Sequence, residues 1–189
     1  MEQTKQTIRT LDLVYIAVGA ALIGICSWIS IPMTVPFTLQ TFAIFFILVL
    51  LGGRRGTASV MVWLLLGAAG VPVFAEFTSG AGVLLGNTGG YMIGFIFIGL
   101  IYMTAEHFFG SRLPVQITAL LLGLAVCYAF GTAWFTVVYT RAKGAVSIGA
   151  VLSWCVLPFI LPDIGKLVLA LALAKRVAPA LQSVKKAQI

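Results

Sequence analysis

Polar and apolar positions do not alternate along this chain. They come as long apolar runs divided by short polar punctuation. No formally charged residue occurs over residues 13–53, and the stretches 56–75, 77–105, 113–140 and 144–162 are charge-free as well. A bilayer-spanning helix needs about 20 mostly apolar residues, and in lipid only helices and closed barrels satisfy every backbone N–H and C=O. The period-two pattern of barrel strands is missing, so the sequence predicts an all-α integral membrane protein. Glycines, prolines and charges divide it into six transmembrane helices, over residues 11–30, 38–51, 57–70, 87–108, 115–139 and 145–177. Pro158 and Pro162 should kink or break the last of these. The connections are a short loop at 33–37, turns at 52–56, 110–114 and 141–144, and a longer loop at 71–86; the tail beyond residue 178 reads as basic and frayed.

Composition strengthens this picture. The chain has 189 residues, enough for a single transmembrane domain over 1–189, and is 61% hydrophobic and 9% charged; its mean hydropathy is +1.10. Soluble domains average roughly 45–50% apolar and about 25% charged residues. The formal charge of +7 does not point to nucleic acid, because the basic residues sit at helix ends and loops and form no stripe. Lys5, Arg9, Arg54, Arg55, Arg112, Lys175, Arg176, Lys185 and Lys186 fall on the side of both termini, and only Arg141 and Lys143 on the other. The positive-inside rule then predicts a multi-pass protein of the cell membrane with both termini cytoplasmic. The first apolar run reads as a mature helix, not a cleaved leader. Cys26, Cys127 and Cys155 are isolated in apolar runs and imply neither a disulfide framework nor a metal site. The chain has no G-x-x-x-x-G-K-[ST], H-E-x-x-H or G-x-S-x-G motif, and a single histidine, His107; we expect no enzyme, no catalytic residues and no cofactor.

Four local signals carry candidate chemistry. Asp163 and Lys166 interrupt an apolar stretch at residues 154–174. A charge at the centre of a spanning helix costs roughly 2.5–3.5 kcal/mol on insertion scales, and such residues usually face a bundle interior or a ligand pathway. At i and i+3 they share a helix face, and Pro162 would open a helical segment with Asp163 in its first turn. Two readings are open: a structural pair with Lys166 snorkelling outward, or a polar contact pair for a solute. Around Asn87, Thr88, Gly89, Gly90 and Tyr91, Asn87 or Thr88 can cap the next helix, and the glycines at 86, 90 and 94 recur every fourth position. That face serves close helix packing, a floor against which a ligand meets backbone, or both. Gln40 is an amide near the start of the second helix, beside Phe37 and Phe42; it bonds a neighbour or lines a pocket. On the first helix Ala17 and Ala21 form a small-xxx-small pair, as do Ala20 and Gly24, suited to packing within the bundle or docking of a partner. Glu76 is a loop charge or part of an outer lid, and Glu106 and His107 read as interfacial anchors.

These segments together resemble the BioY family, the biotin-specific S components of energy-coupling factor (ECF) transporters. The resemblance runs along nearly the whole chain and is densest at residues 35–42, 70–95 and 161–174. Asn87 stands where the family usually has proline, and Leu161 precedes Pro162 where it usually has P-G-D. The resemblance implies a six-helix S-component bundle that binds biotin near the outer surface. It also implies partners, a transmembrane coupling subunit and two ATPases, with docking through Ala17 and Ala21. The binding residues it carries over are Asn87, Gly89, Gly90, Tyr91, Asp163 and Lys166; Gln40 and Thr88 join them from the reading of the residues. Lacking a P-loop, such a subunit would capture biotin and rely on an external motor. The alternatives are a self-contained proton-linked carrier and a scaffold subunit that binds no solute.

Overall fold

The computed structural model describes residues 10–33 and 35–186; Lys5, Arg9 and Thr34 lie outside them. Among the described residues, the regular structure is helical apart from one small hairpin. Helix α1 spans Thr10–Trp28; strands β1 (Ser30–Ile31) and β2 (Phe37–Thr38) pair antiparallel, Ser30 with Thr38 and Ile31 with Phe37. Then come α2 (Gln40–Leu51), α3 (Gly53–Ala68), a 3-10 turn (Ala75–Phe77), α4 (Ala81–Leu85), α5 (Gly89–Phe109), α6 (Leu113–Lys143), α7 (Ile148–Cys155) and α8 (Leu157–Lys186).

The six predicted helices correspond to α1, α2, α3, α5, α6 and α8, with altered boundaries. The predicted turn at 52–56 shrinks to Gly52 alone, whose φ of 83° suits a residue without a side chain. The predicted loop at 33–37 runs partly as β2. The final segment breaks at Val156 (φ −125°, ψ −57°), ahead of both prolines. Pro158 occupies the second position of α8, where its missing N–H costs nothing, and Pro162 rides inside the helix. Asp163 therefore lies nearly two turns into α8, not in a first turn, and the helix dipole is not what holds its charge. The expected frayed tail is also helical, through Pro179 to Lys186. Thr88 precedes α5 but makes no side-chain capping bond, and Gly86 sits in extended backbone before that helix, so Gly86, Gly90 and Gly94 do not share one helical face.

Among the described residues, four segments are long and apolar enough to cross a membrane: Thr10–Trp28, Gly89–Phe109, Leu113–Lys143 and the joined Ile148–Leu181. Helix α2, with 12 residues, is only about 18 Å long. The outer faces stay apolar: Leu13, Val18, Leu65, Leu122, Leu161 and Val168 are all exposed. Lipid accepts such a surface, whereas water would drive it to associate.

Small residues set the spacing between helices, as they do where no hydrophobic force separates helix from lipid. A Cβ on Gly53 would meet the backbone of Met103, one on Gly94 would meet Cys127, and one on Gly123 would meet Ile98. The buried core between them holds Trp63, Tyr102, Phe45, Phe74 and Ile98. Two buried polar groups find nearby carbonyls: Trp63 Nε1 donates to that of Val73 at 2.9 Å and Ser27 Oγ to that of Ile23 at 2.8 Å.

Polar contacts also tie together the two ends of the bundle. At one end Arg55 pairs with Asp12 at 2.5 Å, and the Glu106 carboxylate accepts from the Gly53 N–H at 2.6 Å and the Ser111 hydroxyl at 2.9 Å. The starts of α1 and α3 and the end of α5 thus meet. Glu106, expected to be an interfacial anchor, is a cap for α3. At the opposite end Trp28 Nε1 donates to the Pro72 carbonyl and Trp134 Nε1 to that of Gly86, both at 2.9 Å. Removing the α3 cap with Glu106→Ala should lower stability by about 1–2 kcal/mol. Glu106→Gln, which keeps an acceptor oxygen, should lose less. Melting in detergent checks the pair, and equal losses would show that the carboxylate does not cap the helix.

Candidate functional site

A cavity of about 260 Å³ opens at the Trp28–Trp134 end, lined by α2, α5, α6, α7, α8 and the loops that precede α2 and α5. Its size falls just below the usual range of roughly 300–1,000 Å³ for small-molecule sites. Most of the wall is apolar. Val35 and Pro36 come from the loop before α2, the buried Phe74 from the segment before the 3-10 turn, Met92 and Phe95 from α5, Leu124 and Cys127 from α6, Cys155 from α7 and Phe159 from α8.

Charge is concentrated at one place. Asp163 and Lys166 are 2% and 7% exposed, so neither side chain snorkels out. Their ion pair measures 2.8 Å between Lys166 Nζ and Asp163 Oδ1. The same carboxylate oxygen accepts from the Thr41 hydroxyl at 2.8 Å, and Oδ2 accepts from the Tyr128 hydroxyl at 2.6 Å. Lys166 also donates to Thr41 Oγ1 at 3.1 Å, and its ammonium lies 4.2 Å from the centre of the Phe37 ring. Four side chains from α2, α6 and α8 thus hold one another, with an aromatic face over the cation. Charge-assisted bonds of this kind are about twice as strong as neutral ones. All four polar residues also line the cavity, so the pair is both self-satisfied and presented to a ligand.

The sequence profile of the BioY family matches residues 1–183. The chain belongs to the BioY family. It is 39% identical over 170 residues to the biotin transporter BioY of Thermotoga maritima, covering 87% of this chain and 94% of that protein. It is 31% identical over 184 residues to the biotin transporter BioY of Rhizobium etli, covering 90% and 94%. Its fold is similar to the crystal structure of the S-component for biotin from an ECF-type ABC transporter. The TM-score is 0.75 at 26% identity, with 94% of each chain covered. This is a family of transporters, not of enzymes.

Within this BioY chain, Gln40, Thr88, Tyr91, Asp163 and Lys166 come together around the cavity, whereas Asn87, Gly89 and Gly90 do not line it. Asn87 is half-buried on the turn before α5. Gly89 and Gly90 are buried by packing: a Cβ at Gly89 would strike the Leu84 backbone, and one at Gly90 the Trp134 side chain. Both glycines thus permit close packing, Gly89 against α4 and Gly90 against α6. Gln40 does both things open to it. Its Nε2 donates to Ser27 Oγ at 2.7 Å and its Oε1 accepts from Thr38 at 3.0 Å, while the residue also reaches the wall. Tyr91 shares a 3.1 Å hydrogen bond with Thr132. Ala17 and Ala21 are exposed on α1, whereas Ala20 and Gly24 are buried.

Sequence reasoning missed Thr41, Tyr128 and Phe37 as members of the charged cluster. Thr41 directly follows Gln40, and Tyr128 is a phenol in the charge-free run of α6. Each carried the signal of a polar atom that an apolar helix must satisfy. Nothing in the sequence said which charge they would serve.

Proposed function

We propose that this protein is the biotin-capturing S component of an ECF-type importer. In this reading it is a six-span protein of the cell membrane with cytoplasmic termini. Six main helices, α1, α2, α3, α5, α6 and α8, support an even number of crossings. The exposed Ala17–Ala21 face of α1 is where a transmembrane coupling subunit would dock, and two ATPase subunits would supply the work that a chain without a P-loop cannot.

The observation that carries the reading is the buried cluster of Asp163, Lys166, Thr41 and Tyr128 in a mostly apolar cavity. Biotin has a bicyclic head with two ureido N–H donors and one carbonyl acceptor, followed by a thioether ring and an aliphatic tail. The Asp163 carboxylate accepts from Thr41, Lys166 and Tyr128, which leaves one of its roughly four lone-pair sites, on Oδ2, for a ureido N–H. Lys166 has three N–H donors and spends two on Thr41 and Asp163, which leaves one for the ureido carbonyl. Phe74, Met92, Phe95 and Phe159 would enclose the apolar remainder. The loop at 33–37 and the turn at Ala75–Phe77 would flank the entrance.

Calorimetric titration of the purified chain with biotin, without any partner, tests this directly. Saturable one-to-one binding supports a capture subunit. A well-folded chain that gives no binding heat across several temperatures would remove biotin as the ligand.

A further inference from the structure

The entrance of the cavity is electrostatically the opposite of what a carboxylate would choose. Among the residues that line the cavity, only three carry formal charge: Asp163 and Lys166 in the buried cluster, and Glu76 in the 3-10 turn at the rim. Lys166 is committed to Asp163 and Thr41, so Glu76 is the sole charge beside the outer part of the cavity.

The backbone holds Glu76 there by an unusual device. Glu76 (φ 56°, ψ 30°) and Phe77 (φ 58°) are consecutive left-handed residues, and neither is glycine. Such a conformation is disfavoured and persists only where its surroundings over-determine it. Here Phe77 turns outward and stacks on Trp28, with ring centres 5.0 Å apart and planes at 24°. Trp28 in turn is fixed by its bond to the Pro72 carbonyl. The turn is closed by the Phe74 and Thr78 amides, each donating at 3.1 Å, to the carbonyls of Thr78 and Ala75 respectively. With Phe77 latched to α1, Glu76 is left against the cavity.

Several neutral donors near the rim are already spent. The Thr78 hydroxyl already donates to the Ala75 carbonyl at 2.8 Å. In the first turn of α5, the Gly89 and Tyr91 amides donate to the carbonyls of Gly86 and Thr88, at 3.2 and 3.0 Å.

We infer that the site does not select for a free carboxylate at the outer end of its ligand, and that it accepts biotin whose tail is capped as an amide, favouring an amine-ended amide over the free acid. This rests on the capture reading, in which the ureido head occupies the Asp163–Lys166 cluster and the tail points to the rim. The specificity-determining residue is Glu76, whose carboxylate repels a like charge and attracts an ammonium. The effect is modest because Glu76 is exposed: two unit charges about 4 Å apart in water change an affinity by about fivefold, and less at greater distance.

The test uses three ligands on the full chain in detergent at low salt: biotin, biotinamide, and the amide of biotin with ethylenediamine. In the wild type the expected order of affinity is ethylenediamine amide, then biotinamide, then biotin. Glu76→Gln should tighten biotin by about threefold, and Glu76→Lys should reverse the order. The differences should shrink as salt rises, since exposed charges are screened. Amides that bind the wild type more than tenfold weaker than biotin would overturn the inference while leaving biotin capture standing. So would an order that Glu76→Lys leaves unchanged. Failure of all three ligands to bind a folded wild type would instead bring down the capture reading, and this inference with it.

Discussion

Asp163→Ala is expected to lower stability by about 3–5 kcal/mol and to abolish biotin binding. The loss of stability comes from what is left behind. Lys166 is 7% exposed, and without the carboxylate its ammonium keeps only the Thr41 hydroxyl and the face of Phe37. The Tyr128 hydroxyl loses its acceptor at the same time. Removing one partner of a buried pair is far more damaging than removing both, because an uncompensated charge in an apolar surrounding is what costs. The double variant Asp163→Ala/Lys166→Ala should therefore melt above Asp163→Ala while still failing to bind biotin. Asp163→Asn keeps the shape and one acceptor oxygen but loses the charge. It should weaken binding by at least about tenfold, the lower end of the roughly 1.5–3 kcal/mol assigned to a hydrogen bond with a charged group. Thermal melts in one detergent, together with biotin titrations, separate the two effects. Unchanged biotin affinity in a folded Asp163→Asn would mean that the carboxylate does not hold the head. A double variant no more stable than Asp163→Ala would mean that the cluster matters for its shape and not for its charge.

This cluster also shows what a sequence can and cannot announce. Asp163 and Lys166 stood out because an apolar helix gives a charge no bulk water, so any charge there must have a partner or a purpose. The logic that found them is one-dimensional, and so it found the pair that is three residues apart on one helix. Thr41 and Tyr128 lie 122 and 35 residues from Asp163 in sequence, and only the packing of α2 and α6 on α8 brings them in. The helices themselves were legible from apolar run lengths, and their ends less so. Gly52–Arg55 looked like a loop because glycines and arginines cluster there, yet α3 begins at Gly53 under the cap provided by Glu106. Pro162 looked like a helix start, yet α8 had already begun before Pro158, because the break at Val156 left no local mark stronger than the prolines beside it. The glycines near Tyr91 were read as packing surface or ligand floor. Their near neighbours, Trp134 for Gly90 and Cys127 for Gly94, favour packing, since helix approach fills the space that a missing side chain leaves.

The same distinction between filled and open space gives the second large effect. Gly123→Ala is expected to destabilise the protein by about 1–3 kcal/mol, whereas Gly165→Ala should be neutral or stabilise it by up to about 1 kcal/mol. Both glycines lie inside long helices, α6 and α8, so the intrinsic helix preference for alanine is the same at each. Their surroundings differ. A Cβ on Gly123 would sit 2.8 Å from the Cα of Ile98 and 3.2 Å from its Cγ2, while one on Gly165 meets nothing within 4 Å. A clash with a flexible side-chain tip can relax by rotation. A clash with the Cα of a facing helix relaxes only by moving α5 away from α6 along their shared length. That movement has a functional consequence, because α6 carries Tyr128 and α5 carries Tyr91. Displacing α6 stretches the 2.6 Å bond from Tyr128 to Asp163, so Gly123→Ala should also weaken biotin binding, by about tenfold if that bond is lost. Gly165 lies between Asp163 and Lys166 in sequence yet faces open space, so biotin affinity in Gly165→Ala should stay within about twofold of wild type. Melting and titration of the two variants under identical conditions give a paired comparison of one chemical change in two environments. Equal stability losses at the two positions would mean that backbone conformation, and not the approach of α5 to α6, is what requires glycine. Normal biotin binding by a destabilised Gly123→Ala would mean that the cluster tolerates movement of α6, and that Tyr128 contributes little to holding Asp163 in place.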